Sequence, residues 1–173
     1  MKNDWTGMIP LYPCSGIREK GKRGGKIMKL ESLDFENQGF IPKKFTCDGE
    51  DVNPGLIIED LPEGTKRLAL IMEDPDAPMG TWVHWIVFNI PVNDIIEENS
   101  VPGIQGINDF RKLEYGGPCP PSGTHRYFFR LYALDEKLSL KEGCTKKELE
   151  EAMEGHILAT AELVGLYARE KSV

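Results

Sequence analysis

The stretch Asp74-Pro75-Asp76-Ala77-Pro78-Met79-Gly80-Thr81-Trp82-Val83-His84-Trp85, running on through Ile86, Val87, Phe88 and Ile90, decides how this chain is read. Pro75 and Pro78 fix their own φ and push Asp74 and Ala77 out of the helical region, so two carboxylates are carried on a stiff loop. Beyond the loop, alternation places Trp82, His84, Ile86, Phe88 and Ile90 on one face of a strand and Val83, Trp85 and Val87 on the other. Both faces are apolar, which predicts a strand buried on both sides. An imidazole in such a strand must find a hydrogen-bond partner, because an unpaired polar group is costly in an apolar interior. The bland reading is a satisfied core histidine beside a Pro-rich turn; the functional reading is the start of a site.

Upstream, Arg67 to Glu73 is nearly continuous in apolar residues and reads as a central strand delivering the chain into Asp74. Shorter β segments are expected at Leu56 to Glu59 and at Met28 to Phe35. Between them, Ile41 to Gly55 reads as a loop containing Thr46-Cys47-Asp48-Gly49. Downstream, Asn93 to Asp109 is a polar, Gly-bearing connection without period, long enough to imply function or mobility. Then comes a second constellation, from Tyr115-Gly116-Gly117-Pro118-Cys119-Pro120-Pro121 to His125-Arg126-Tyr127-Phe128-Phe129. Its glycines free the backbone for close approach and its prolines remove slack. The strand that follows puts His125, Tyr127, Phe129 and Leu131 on one face, with Arg126 and Arg130 opposite, and His125 and Tyr127 about 7 Å apart.

The C-terminal part changes period. Thr145 with Glu148 three residues on is a capping box, followed by Leu149, Ala152 and Met153 at helical spacing. Gly155 interrupts, and a second helix is expected from His156 to about Arg169, with His156 in a structural role at its start. Short strands at regular spacing followed by late helices predict a mainly β fold: a two-sheet antiparallel β-sandwich with C-terminal helices.

Length and composition fit one domain of 173 residues. The net charge of −7 hides an asymmetry, because the first 27 residues hold six Lys/Arg against two Asp/Glu. An acidic body argues against nucleic-acid binding, which wants a basic face, and against stable membrane insertion. No run approaches transmembrane length and residues 1–27 lack a signal-peptide core, so the expected compartment is the cytoplasm. Residues 1–27 form an extension, either an over-extended start or a real arm, and the domain proper is placed at 28–173. Cys14, Cys47, Cys119 and Cys144 show no C-x-x-C pair, so free thiols are the default, with one Cys47–Cys119 disulfide the alternative.

If the two constellations converge, the cavity offers Asp74, Asp76, two imidazoles, a phenol and loop N–H groups, which suits a small oxyanion or zwitterion. In these same residues the chain resembles the phosphatidylethanolamine-binding proteins, also called Raf kinase inhibitor protein-like, and in particular their bacterial and archaeal branch. The first signature of that family, Asp-Pro-Asp-x-Pro with His-Trp, is met by Asp74 to Pro78 and His84-Trp85. The second, Gly-Pro with His-Arg-Tyr, is met by Gly117-Pro118 and His125-Arg126-Tyr127. The likeness spans Met28 to Ala168, including the Thr-Cys-Asp-Gly loop. It implies that Asp74, His84, Pro118, His125 and Tyr127 line a small anion pocket braced by Asp76 and Arg126, with Trp82 or Trp85 as the bordering aromatic.

The expected function is therefore binding of a small anionic or phosphoryl ligand, phosphoethanolamine-like or nucleotide-like, with a regulatory or inhibitor role and no cofactor. If the imidazoles hold the anion as imidazolium, its affinity rises as pH falls through about 6.5. Two other classes stand beside it. One is a hydrolase or metal-dependent enzyme using Asp74, His84 and His125. The other is a kinase or protease inhibitor acting through the Asn93 to Asp109 loop. A homodimer is the expected assembly.

Overall fold

The structure, a computed structural model, describes residues 25–170. The reading of residues 1–27 lies almost wholly outside the described residues.

In chain order the elements are β1 (Lys29–Ser32), a single 3₁₀ turn (Lys43–Phe45), β2 (Leu56–Glu59), β3 (Arg67–Asp74), β4 (Trp82–Ile90), β5 (Ile95–Ile96), β6 (Ile104–Gln105), β7 (His125–Leu134), α1 (Lys146–Met153) and β8 (Ile157–Tyr167). They form two antiparallel sheets, one ordered β1-β2-β5 and the other β6-β4-β3-β7-β8. Leu30, Leu56, Ile58 and Ile96 of the small sheet pack with Leu68, Leu70, Met72, Trp85, Phe129 and Leu131 of the large one in a single core. The opposite face of the large sheet carries a second core, in which Ala69, Ile71, Ile86 and Phe88 meet Leu149 and Met153 of α1. That double covering explains why β3 and β4 are apolar on both faces. Among the described residues no helix is long and apolar enough to cross a membrane.

The capping box is present: Thr145 accepts from the Glu148 N–H, and Glu148 returns the bond to the Thr145 N–H. The second helix is not. Residues Ile157–Tyr167 form β8, paired with β7 from Leu134↔Ile157 to His125↔Tyr167. The segment contains good helix formers, yet Ala161, Leu163, Gly165 and Tyr167 also fit a period of two, and their burial against the inter-sheet core outweighs local propensity. His156 lies at the turn into β8, its Nδ1 2.9 Å from an Asp135 carboxylate oxygen. The long connection is anchored at two points, since Ile95–Ile96 and Ile104–Gln105 each add a short strand to one sheet.

The alternation expected for β4 is broken twice. Met72 pairs with Trp85 and Glu73 with Val83, so His84 is an extra residue, and a second irregularity lies between Val87 and Ile90. Such bulges switch the phase of the pleat. Trp85, Val87 and Ile90 therefore face the inter-sheet core, while Val83, Ile86 and Phe88 face the helix side. Unbroken alternation back from Trp85 would have turned Val83 toward the inter-sheet face and His84 away from it.

Candidate functional site

The first constellation enters at the C-terminal end of β3 and the second at the N-terminal end of β7. These strands are antiparallel neighbours, so both ends meet at one edge of the large sheet. There a cavity of about 220 Å³ is lined by Asp74, Ala77, Pro78, Met79, Trp82, His84, Phe110, Cys119, Pro121, His125 and Tyr127. Asp74, His84, His125 and Tyr127, the residues expected to converge, share it.

Each polar side chain in the cavity is fixed by one specific bond. Asp74 accepts a 2.6 Å hydrogen bond from His125 Nδ1 through one oxygen, and its other oxygen accepts the Asp76 N–H at 2.8 Å. With both oxygens engaged, Asp74 orients the His125 imidazole rather than waiting for a ligand's ammonium group. Asp76 in turn accepts the Arg126 N–H and takes its guanidinium in a two-bond clamp of 2.9 and 2.8 Å. That guanidinium, first of all through these bonds, holds the Asp76 carboxyl down at about 2. Asp76 and Arg126 thus sit outside the cavity lining and tie the loop after β3 to the start of β7.

His84 is held differently. Its Nδ1 lies 2.7 Å from the Gly116 carbonyl oxygen, which can only accept, so Nδ1 carries the proton. In return the Gly116 N–H donates to the His84 carbonyl at 3.0 Å, and Asn108 Nδ2 donates to the same oxygen. These bonds satisfy the His84 carbonyl, which faces away from β3. Burial pushes the His84 imidazole below its ordinary value, opposed by the Gly116 bond and the Asp74 charge. His84 thus carries its proton on Nδ1 and leaves Nε2 for the cavity, and burial disfavours the charged ring.

Two donors in the cavity wall make no well-formed hydrogen bond among the described residues: Trp82 Nε1 and the Tyr127 hydroxyl, both fully buried atoms, the hydroxyl having only a weak contact with the Cys119 backbone. Burial pushes the Tyr127 phenol up strongly, with the Asp74 charge adding to it, so this group is a fixed donor. Trp82 is the bordering aromatic, whereas Trp85 points into the core and donates to Gln105 at 2.9 Å. Phe110 closes the wall, edge-on to Trp82 at 5.4 Å and to His84 at 5.3 Å.

Three expectations need correction. Pro118 is buried outside the lining, where its carbonyl accepts the Cys47 N–H; Cys119 and Pro121 take its place in the wall. The Gly116 and Gly117 N–H groups are spent on His84 and on Asp51, so they do not face a ligand. Cys47 and Cys119 are joined in a disulfide with Cα atoms 5.4 Å apart, against the default of free thiols, while Cys144 is free and buried. Phe110 and Asp51 were missed by sequence reasoning. Phe110 follows immediately on a stretch read as polar connection, and nothing in its neighbours marks it; Asp51 sits in the Thr-Cys-Asp-Gly loop, and only the density of Asp, Gly and Asn there was a signal.

Comparison with known proteins shows the family. The sequence profile described as phosphatidylethanolamine-binding protein matches residues 31–168, which is most of the chain. The chain belongs to the phosphatidylethanolamine-binding protein family. A UPF0098 protein of Methanothermobacter thermautotrophicus is 50% identical over 150 residues, covering 82% of this chain and 99% of its own length. Another, from Pyrococcus abyssi, is 50% identical over 176 residues, covering 94% and 98%. Among solved structures, a phosphatidylethanolamine-binding protein homologue of Chlamydia trachomatis superposes with a TM-score of 0.81 at 45% identity, over 83% of this chain and 99% of that one. Escherichia coli YbcL, described as a member of the mammalian family, gives 0.77 at 27% identity, over 84% and 100%. The two constellations read in the sequence, both within the matched residues, are the two ends of strand that meet at this cavity.

Proposed function

We propose that this member of the family is a receptor for a phosphoryl or similar oxyanion group bearing a short substituent, and that its role is regulatory rather than catalytic, with the cytoplasm as its compartment. One observation carries the reading: Tyr127 and Trp82, each with a buried donor that makes no well-formed hydrogen bond, line the same cavity as His84 and His125. Unpaired buried donors are costly to hold, and an oxyanion with several acceptor oxygens satisfies them together. At about 220 Å³ the cavity falls below the ~300–1,000 Å³ typical of pockets that enclose a drug-sized ligand, which favours a phosphoethanolamine-like group over an entire nucleotide.

Charge bookkeeping sets the pH behaviour. Asp74 brings a negative charge and burial disfavours the charged form of His84, so a dianion gains most once His84 is protonated, and binding itself draws a proton onto the ring. Affinity for the phosphate dianion should rise as pH falls. Isothermal titration of inorganic phosphate and phosphoethanolamine between pH 5 and 8 tests this, with His125→Ala as the pocket variant. Binding that is absent, or unchanged by His125→Ala, sinks the reading.

The enzyme alternative through Asp74, His84 and His125 is set aside because among the described residues no serine, threonine or cysteine nucleophile is bonded to either ring, although the bonds at Asp74 and both Nδ1 atoms leave one nitrogen per ring, as a general base needs. Turnover of a phosphoester would reinstate it. The inhibitor alternative narrows to the part of the 93–109 connection between its two anchored strands, where Val101 is 66% exposed.

A further inference from the structure

His84 and Asp51 lie on opposite sides of a single peptide unit. On one side, Nδ1–H of His84 donates to the Gly116 carbonyl at 2.7 Å. On the other, the N–H of Gly117, which belongs to the same peptide group, donates to Asp51 Oδ1 at 2.7 Å. The unit is tightly enclosed. A Cβ at Gly117 would lie 2.3 Å from Asp51 Oδ1 and 2.5 Å from the Phe45 carbonyl oxygen, and one at Gly116 would lie 2.6 Å from the Phe110 ring. Two successive glycines are what allow imidazole, peptide and carboxylate to stand in line. Asp51 reaches its place with φ +57°, in the left-handed region that Asp and Asn tolerate better than most residues.

We propose that Asp51 is a positioning residue for the anion pocket, acting on His84 through the Gly116–Gly117 peptide to fix which ring nitrogen carries the proton and to make the other more basic. The physics is that of hydrogen bonds in series. A carboxylate accepting from the Gly117 N–H polarises the peptide, deepens the partial charge on the Gly116 oxygen, and strengthens the bond from Nδ1–H. The stronger that bond, the more readily Nε2 takes a proton. Asp51 does not line the ligand cavity; it faces a separate space of about 240 Å³ shared with Asn108, Lys112 and Glu114. It is open to solvent there, so the through-space part of its influence is screened, and the hydrogen-bonded path carries the rest.

The other groups facing His84 are known and are not changed by altering Asp51. Asp74 supplies a negative charge from β3, and His125 shares the cavity from β7. The Tyr127 ring stands edge-on at 5.2 Å, and Phe110 and Trp82 are uncharged. Asp109, beside Phe110, is bonded to the Val83 N–H. The Asp51 charge also acts to raise His84, in the direction the geometry requires.

This inference deepens the anion-receptor reading, but its decisive test does not need a ligand. Asp51→Asn keeps an acceptor oxygen for the Gly117 N–H and tolerates the same φ, while removing the charge. In the ligand-free protein, an NMR titration should show the His84 midpoint displaced downward relative to wild type. His156, at the other end of the β7–β8 hairpin, serves as internal reference. The phosphate affinity profile should move to lower pH by the same displacement. An unmoved His84 midpoint overturns the proposal. A displaced midpoint with no phosphate binding in either protein upholds the relay and rejects the anion reading. Should Asp51→Asn fail to fold, imidazole ¹⁵N shifts of the wild type above its titration range decide: a protonated Nδ1 and bare Nε2 on His84 support the relay, and the reverse tautomer refutes it.

Discussion

Tyr127→Phe separates a residue kept for packing from one kept for binding. The Tyr127 ring is fully buried between the sheets, and its hydroxyl makes no well-formed hydrogen bond. Phenylalanine preserves the ring, its contact with His84 and the core volume, and deletes only the unpaired oxygen. Leaving a hydroxyl unpaired inside a protein costs about 1–3 kcal/mol. A weak contact of the hydroxyl with the Cys119 backbone recovers part of that cost, so the expected stabilisation of the ligand-free protein is near the lower end, about 1 kcal/mol. For a chain of this size that raises the melting midpoint by about 2–4 °C. The same deletion removes a donor to a charged acceptor, a bond of roughly 1.5–3 kcal/mol, which is about a 10- to 100-fold loss of phosphate affinity. Denaturation without ligand and calorimetric titration of phosphate measure the two effects on one sample. A variant that melts lower than wild type and binds phosphate equally well would refute the reasoning, because the hydroxyl would then have been a structural group with a partner.

Three further perturbations probe what holds the site. Cys47→Ser opens a loop of 72 residues closed by the disulfide and should cost about 4 kcal/mol by the chain-entropy account, with an equal effect of reductant on wild type. Unchanged denaturant midpoints in both would exclude a stabilising bridge. Glu73 is buried under the outer face of the large sheet and accepts from Arg130 and Lys146, which tethers the first turn of α1. Glu73→Ala removes the shared carboxylate, leaving Arg130 to Glu162 and Lys146 to Glu150; because both cations are about one-third exposed, the loss should be about 1–3 kcal/mol, and a stability from urea unfolding within about 0.5 kcal/mol of wild type would contradict it. The Asp76 carboxyl is held at about 2 against 3.8 when unpaired, so its contribution is complete above pH ~4 and is lost as pH falls toward 2. Arg126 is half-exposed, which reduces that contribution to about 1 kcal/mol; Asp76→Asn should be less stable by this amount near pH 7 and should converge with wild type in acid, and parallel acid-unfolding curves would count against it.

The parts of the fold that follow local rules were legible in the sequence. The capping box, the double-sided strands β3 and β4, and the alternation of His125, Tyr127, Phe129 and Leu131 are written in spacing alone. The convergence of the two constellations was legible for a simpler reason: antiparallel neighbours β3 and β7 bring the end of one beside the start of the other. What could not be read depended on partners distant in sequence. Ile157–Tyr167 carries both a helical and a two-residue period, and only the availability of β7 as a partner decides between them. The extra residue at His84 leaves no mark in an unbroken apolar run, yet it sets which side chains face the cavity. Asp51 and Phe110 act through Gly116 and Gly117, and a glycine pair announces close approach without saying what approaches.

Departures from local rules also distinguish structure from function in this molecule. Asn89 has φ +52° at the second bulge of β4, but its side chain both donates to the Leu138 carbonyl and accepts the Leu138 N–H, so the irregularity is compensated and ties two segments together. At the His84 bulge the backbone is equally well compensated by Gly116 and Asn108, whereas the side chains it turns inward, with Tyr127 and Trp82, keep unsatisfied polar atoms. Folding alone favours replacing such groups by apolar ones of the same shape. Irregular backbone that is fully bonded, surrounding polar side chains that are not, is what a preorganised receptor requires: the frame is rigid before the ligand arrives, and the remaining hydrogen bonds form only with it.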